Sequence, residues 1–143
     1  MPTSQPTGRE LPRHEARTRA LEVLYERNIK DISPEELLDS LTVPLDPFSL
    51  DIFKGVCRYS SRIDQLLDNA SQGWHTDRMP LMDRLILQMA TYELLAHRET
   101  SDAVILDEAV ELAKEYSTDQ SGKFVNGVLS SLAGIIRAKD KHL

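Results

Sequence analysis

Helical periodicity runs through nearly the whole of this chain, and no other feature limits its fold as strongly. After the first few residues, apolar side chains recur three and four positions apart in one segment after another, the spacing that places them on one face of an α-helix. No segment shows sustained alternation of apolar and polar residues between hairpin turns. The sequence therefore predicts an all-α protein, a compact bundle of six or seven helices with three of them before Gly73.

Local start and stop signals divide this pattern into helices. Ser33-Pro34 followed by Glu36 has the form of a capping box with proline at the first helical position, and Asp46-Pro47 repeats the start signal. Ser101 is the predicted cap of a later helix. The predicted helices cover about 12–30, 34 to before 44, 47–73, 80 to past 95, 101–116 and 123 to past 136, with 74–79 as a connection that has room for one helical turn and 117–122 as a loop.

Composition indicates one globular domain. The 143 residues suffice for a single core, and 41% hydrophobic with 28% charged residues is typical of soluble proteins. We expect a disordered tail at 1–8 and a single domain at 9–143. No stretch approaches the roughly 20 apolar residues of a membrane span, and the tail lacks the apolar core of a signal peptide. These features predict a cytoplasmic protein without membrane contact.

Charge is distributed unevenly. The net charge is −6, yet residues 1–30 contain six Lys and Arg against four Asp and Glu, a net of +2. Because phosphate contacts require local positive charge, any nucleic-acid site is expected to draw on the N-terminal region. The acidic remainder suits a basic protein partner as well as it suits solubility.

Patterns that carry catalysis or hold a metal are missing from the sequence. The four histidines are scattered, and none is spaced for a metal-binding helix. The single cysteine, Cys57, excludes an internal disulfide and lies on an apolar helical stripe, where a small buried hydrophobe is expected. Gly122-Lys123 lacks the preceding glycine and the following Ser/Thr of a phosphate-binding loop. We therefore predict no enzymatic activity, no cofactor and no metal site.

Two segments are candidates for binding. The first contains Arg9, Arg13, Arg17 and Arg19. Arg13 and Arg17 are one helical turn apart, so both could reach neighbouring phosphates. Composition by itself favours the alternative, a charged surface helix in which interleaved glutamates pair with the arginines.

The second segment runs from Tyr116 to Asn126, where Lys123, Phe124 and Asn126 follow a polar loop at the predicted start of a helix. The free N–H groups of a helix start can bind phosphate, and an exposed aromatic ring can stack on an unpaired base. The alternative is that Phe124 belongs to the core.

Four stretches of the chain resemble the NusB family of bacterial transcription antitermination factors, in the family's order and spacing. They are Arg13 to Tyr25, Asp83 to Leu95, Asp107 to Tyr116 and Lys123 to Leu129. The sequence Phe-Val-Asn-Gly-Val-Leu in the last of them is the most specific, and the resemblance covers about 12–137.

The resemblance implies an all-α fold of two packed helical halves and a function without catalysis or cofactor. Proteins of this family bind the boxA element of ribosomal-operon leader RNA together with NusE, a small ribosomal-subunit protein, and allow RNA polymerase to read through terminators. By the same resemblance, the expected RNA-binding residues are Arg9, Arg13, Arg17, Tyr116, Lys123, Phe124 and Asn126, and those facing NusE are Tyr25 and Asp83. His14 and Glu15 stand where the family often continues with arginine, which predicts weaker or more pH-sensitive RNA binding.

Two alternatives accompany this interpretation. One is a NusB-like protein-interaction or dimerisation module with altered or lost RNA binding, since a homodimer could cover the arginine face. The other is the N-terminal module of a ribosomal-RNA cytosine methyltransferase. That enzyme requires a downstream catalytic domain, and we expect none because the sequence ends six residues after Arg137.

Overall fold

The computed structural model describes residues 6–71, 73 and 75–138, and within them it has seven α-helices, one 3₁₀ turn and no strand. The helices are α1 (Arg13–Lys30), α2 (Pro34–Ser40), α3 (Pro47–Arg58), α4 (Ser60–Ala70), α5 (Leu81–Ala96), α6 (Asp102–Tyr116) and α7 (Asp119–Ala138), with the 3₁₀ turn at Thr76–Arg78. The predicted all-α bundle is confirmed. Most of the predicted tail, 1–5, lies outside the described residues, but the N–H of Gly8 donates to the Leu45 carbonyl at 2.7 Å.

The predicted helix starts are formed by the residues that signal them. Ser33 accepts the Glu36 N–H at 3.1 Å, and the Glu36 carboxylate accepts the Ser33 N–H at 3.3 Å, which completes the capping box. Asp46 caps α3, and Ser101 caps α6. Local sequence therefore determines these three helix ends.

A break at Tyr59 divides the helix predicted over 47–73 into α3 and α4. The Tyr59 backbone has φ −105° and ψ 22°, outside the helical range. The prediction of one helix was wrong because buried residues on both sides of the break, such as Phe53 and Ile63, continue the same periodic pattern, and neither glycine nor proline marks the position.

The last helix begins at Asp119, inside the segment predicted as a loop. The Thr118 carbonyl accepts the Gly122 N–H at 3.1 Å, and the Thr118 hydroxyl accepts the Ser121 N–H at 3.0 Å, so Thr118 caps the helix. Gly122 is buried against α6, where a Cβ would lie 3.1 Å from the Lys114 side chain. The predicted loop was wrong because Thr118 caps α7 and Gly122 allows α7 to pack closely on α6.

Helix α5 lies at the centre of the fold. Every residue from Leu85 to Leu95 is buried, and α1, α3, α4, α6 and α7 all pack against this helix. One half consists of α1 to α3, and the other is built from α4 to α7, in which α6 and α7 form a helical hairpin. The two predicted halves are confirmed, with four helices before Gly73 instead of three.

Of the helices that the structure describes, none combines the length and the apolar character that crossing a membrane requires.

Candidate nucleic-acid interface

Arg17 lies inside the protein and pairs with Glu93 of α5. Its Nε and Nη2 donate to the two carboxylate oxygens of Glu93 at 2.9 and 2.8 Å, and only 5% and 3% of the two side chains are exposed. Such a two-bonded pair fixes both groups in one orientation. Arg17 therefore anchors α1 on α5, which differs from the direct phosphate contact that the sequence predicted for it.

The Glu93 pair continues into a polar network that reaches the surface at Asp51. His97 lies 3.5 Å from Glu93 and 2.5 Å from Asp51, and the Tyr92 hydroxyl donates to Asp51 at 2.9 Å. Burial lowers the pKa of His97, but the hydrogen bond with Asp51 and the negative charge of Glu93, 3.5 Å from the ring, outweigh that effect and raise it to about 9. Burial likewise raises the pKa of Glu93, but the nearby charge of His97 and the two hydrogen bonds from Arg17 reverse this, so that its pKa is lowered.

Arg13 is exposed at the start of α1 and lies on an aromatic ring. Its guanidinium carbon is 4.1 Å from the centroid of Phe48, and that of Arg17 is 5.2 Å from the same centroid. Phe48 in turn lies 5.3 Å from the His97 ring. Phe48 therefore forms a platform that holds Arg13 at the surface by a cation–π contact. Arg9 is exposed in the segment before α1.

His14 connects the start of α1 to α6. Its Nδ1 is 2.9 Å from the Glu108 carboxylate, which also lies 4.0 Å from Arg17. The hydrogen bond to Glu108 and its negative charge raise the pKa of His14. His14 stands where the family often has arginine, and its positive charge is partly neutralised by the Glu108 carboxylate.

The second predicted segment lies on α7, beside the end of α4 and the connection at 78–80. Lys123 and Asn126 are exposed, and Lys123 is a full turn inside α7 because that helix begins at Asp119. The predicted phosphate site at free N–H groups of a helix start is wrong for Lys123, since its amide lies within the helix. The side chain of Lys123 still presents a charge to solvent.

Phe124 is half-buried and lies between two open clefts. One, of about 360 Å³, is lined by Ala70, Ser71, Lys123, Phe124, Gly127, Val128 and Ser131. The other, of about 320 Å³, is lined by Arg78, Met79, Pro80, Asp83, Gln120, Ser121 and Phe124. The ring packs against the core and also borders both clefts, so neither the core nor the exposed interpretation describes it fully.

The two residues predicted to face a protein partner have different surroundings. Tyr25 is 40% exposed and Ile29, one turn later on α1, is 60% exposed. Asp83 is only 4% exposed, and one of its carboxylate oxygens accepts the Ser121 hydroxyl at 3.0 Å. Its other oxygen, Oδ1, has no hydrogen-bond partner among the described residues. Tyr116, also half-buried, packs against the core at the end of α6.

Sequence reasoning missed the partners of the first helix. Phe48, Asp51, Glu93 and His97 are distant in sequence from α1, and Glu93 is 76 positions from Arg17. One signal was present, because Glu93 and His97 adjoin a long apolar run, and a charged residue on a helix buried on all sides must be paired.

The described residues contain no cluster of three or more metal-ligating side chains. The Cys57 thiol is half-buried, and burial raises its pKa, which disfavours the reactive thiolate.

Comparison with known proteins relates this arrangement to one family. A match to the NusB family covers residues 14–134. The transcription antitermination protein NusB of Streptomyces avermitilis is 42% identical over 129 residues, which are 84% of this chain and 90% of that protein. The solved structure of T. maritima NusB has a TM-score of 0.77 to this chain at 33% identity, over 87% of this chain and 92% of that one.

The chain belongs to the NusB family. A solved complex of the antitermination factors NusB and NusE with double-stranded RNA contains the same fold, with a TM-score of 0.72 at 24% identity over 86% of this chain and 96% of that one. The NusB-family match begins at His14, so Arg9 and Arg13 precede it. The α5 network and the Lys123 segment lie within it.

Proposed function

We propose that this chain is a non-catalytic, RNA-binding transcription antitermination factor of the cytoplasm. It binds the boxA element of ribosomal-operon leader RNA together with NusE, and the assembly allows RNA polymerase to read through terminators. Membership of the NusB family supports this function, because relatives such as the Streptomyces avermitilis protein are transcription antitermination proteins. The activity is assembly, so it requires neither a cofactor nor a metal.

The proposal rests on the exposed Arg and Lys side chains that no carboxylate of the protein neutralises. Arg9, Arg13 and Lys123 are exposed and form no ion pair with any described residue. By contrast, Arg17 is paired internally, and Lys30 is bonded to Glu26 at 2.8 Å. On a chain of net charge −6, exposed cations at these positions provide the local positive charge that RNA phosphates need.

We assign different tasks to these residues. Arg9, Arg13 and Lys123 contact phosphates, and Phe124 stacks on a base at the border of its two clefts. Asn126 and Tyr116 border the same segment and complete the contact. Arg17 is a positioning residue, because its bond to Glu93 fixes the helix that presents Arg13.

NusE is the proposed protein partner of the surface around Tyr25. Tyr25 and Ile29 give that face of α1 an exposed apolar area, and Glu22 beside them is exposed and acidic. The combination suits a basic ribosomal protein. We assign Asp83 to the same partner surface by the family resemblance; its side chain is buried in the lining of its cleft, where its negative charge acts on a basic partner through the field at the surface.

The test is a titration with boxA RNA, with and without NusE, at two salt concentrations. Arg13→Gln should weaken binding and reduce the dependence of log affinity on log salt by about 0.7 or less, the value for one phosphate contact on a single strand. Lys30→Gln is the matched control, because this cation lies at the other end of α1 and is already paired. Equal affinities for wild type and Arg13→Gln would remove Arg13 from the interface.

The alternative, a dimerisation module without RNA function, makes the opposite prediction. The wild-type chain would then bind no RNA in the presence of NusE, and sedimentation would show a dimer. Arg13→Gln would change the dimer and nothing else.

A further inference from the structure

A cationic groove runs along the outer face of α3. It has a volume of about 400 Å³ and lies between Thr7, in the segment before α1, and the α3 residues Pro47, Asp51, Lys54 and Arg58. These four residues follow one another at helical spacing and therefore share a face. The stripe is about 16 Å long at 1.5 Å per residue.

The free charge of this groove is positive. Lys54 and Arg58 are exposed, and neither has a carboxylate partner among the described residues. Asp51 is the one acidic residue of the lining, and it already accepts the Tyr92 hydroxyl and the ring of His97. Tyr92 and His97 therefore stabilise the charge of Asp51, whereas Lys54 and Arg58 are exposed to solvent.

Aromatic rings line the groove beside the cations. The guanidinium carbon of Arg58 lies 5.3 Å from the centroid of Tyr59, and the rings of Tyr59 and Tyr92 are nearly parallel, with centroids 6.5 Å apart. Tyr92 is held against the α3 backbone at Gly55, where even a Cβ would lie 2.2 Å from the ring. Fixed aromatic rings next to unpaired cations are the combination with which proteins bind single-stranded nucleic acid.

The groove continues the surface assigned to RNA. Phe48, on which Arg13 lies, is adjacent in sequence to Pro47 at one end of the groove. The backbone bond from Gly8 to Leu45 holds the segment that carries Arg9 against the same end. A strand that contacts Arg9 and Arg13 therefore reaches Lys54 and Arg58 by following α3.

We propose that this groove binds unpaired nucleotides that flank the RNA element held by Arg9, Arg13 and Lys123. Lys54 and Arg58 contact phosphates, and Tyr59 offers its ring to a base. The inference rests on the proposed function, since the groove extends the same RNA surface. Unpaired cations interleaved with aromatic rings favour RNA over an acidic protein segment as the occupant.

The experiment compares two RNAs with the chain and NusE together. One is the boxA element alone, and the other carries in addition about six unpaired uridines at one end, with each end tested in turn. The extended RNA should bind more tightly at one of the two ends. The double variant Lys54→Gln/Arg58→Gln should lose that advantage, lower the salt dependence for the extended RNA by about 1.4 or less, and bind the short RNA unchanged.

Two further variants complete the design. Tyr59→Leu should weaken binding of the extended RNA roughly 5- to 150-fold with the salt dependence intact if the ring stacks on a base, whereas Lys30→Gln should bind both RNAs as the wild type does. Because Lys54 and Arg58 are exposed and unpaired, their variant keeps the test decisive even if Tyr59→Leu unfolds.

The outcomes separate the two proposals. If the wild type binds short and extended RNA equally at both ends, the groove proposal fails and the proposed function stands. If it binds neither RNA, both fail. If the double variant keeps its RNA affinities but loses binding to purified RNA polymerase, the groove is a protein site and the proposal is overturned.

Discussion

At the scale of single residues, Arg17 and Glu93 form a pair in which each group compensates the buried charge of the other. Both side chains are at least 95% buried, so removing one leaves a buried charge with only a longer ion pair, Glu93 with His97 at 3.5 Å or Arg17 with Glu108 at 4.0 Å. Breaking such a pair from one side costs about 3–5 kcal/mol, whereas replacing both groups by apolar residues costs far less.

This asymmetry gives the first prediction. Arg17→Met and Glu93→Leu should each lower the free energy of unfolding by about 3–5 kcal/mol in urea titrations, and the double variant should recover most of the loss. Lys30→Met, which breaks the exposed pair with Glu26, is the control and should cost less than about 0.5 kcal/mol. Additive losses in the double variant would show that the two residues stabilise the fold independently.

Phe48 affects RNA binding through another residue. Phe48→Leu removes the ring on which Arg13 lies at 4.1 Å, so Arg13 loses its fixed position at the surface. We expect RNA affinity to fall by a few-fold, since an exposed cation–π contact is worth about 0.5–1 kcal/mol.

Two further variants distinguish this role of Phe48 from a purely structural one by their RNA affinities. Phe48→Tyr keeps the ring and should restore affinity, and Phe48→Leu should have no effect when Arg13 is already replaced by glutamine. If Phe48→Leu lowers RNA affinity equally in the wild type and in the Arg13→Gln variant, Phe48 does not act through Arg13.

At the scale of helices, the start of α7 depends on Thr118. Its hydroxyl accepts the Ser121 N–H and also donates to the Ser121 hydroxyl, which donates to Asp83. Thr118→Ala should therefore lower the free energy of unfolding by about 1 kcal/mol, the cost of losing a cap, and speed amide exchange in the first turn of α7. Thr118→Ser should retain the cap, and Thr42→Ala, at an exposed position outside the helices, serves as control. Unchanged exchange at 119–122 in Thr118→Ala would contradict the assignment of the cap.

Comparison of expected and observed helices shows what local sequence can specify. Three starts, at Ser33, Asp46 and Ser101, were predictable because the cap and the helix that it serves are neighbours in sequence. The break at Tyr59 has no such signal beside it in the sequence; Tyr59 and Gly55 pack there against Tyr92, more than 30 positions later.

The candidate site follows the same rule. The exposure of Lys123 and of Arg13 agrees with what the charge pattern and the family resemblance led us to expect. The burial of Arg17 could not be derived from its spacing to Arg13, because two residues one turn apart on a helix differ in environment once a second helix packs against only one of them. That helix is α5, and its Glu93 decides where Arg17 points.

At the scale of the whole molecule, the polar network joins both halves of the fold. It connects α1 through Arg17, α3 through Asp51 and α5 through Glu93 and His97. A group that is charged at neutral pH thus lies where the three helices meet, and the stability of the entire bundle is linked to its protonation.

The sign of this linkage follows from the pKa of His97, which is raised from 6.5 to about 9 in the folded chain. The folded state holds the proton more tightly than the unfolded state does, so the stabilisation is complete below pH 6.5 and is lost as the pH rises through 9. A shift of this size corresponds to about 3 kcal/mol. The free energy of unfolding, measured in urea from below pH 6.5 to about pH 9, should therefore decrease by roughly that amount.

His97→Gln distinguishes this network from other titrating groups, because glutamine cannot carry the charge that Asp51 and Glu93 stabilise, and its pH profile should be nearly flat over the same range. His14→Gln should keep most of the slope, since the His14 side chain is 49% exposed and solvent screens its bond to Glu108. If instead His14→Gln flattened the profile and His97→Gln did not, the contact between α1 and α6 would govern the pH response. The junction of α1, α3 and α5 would then be insensitive to protonation, and Arg17 alone would compensate the charge of Glu93.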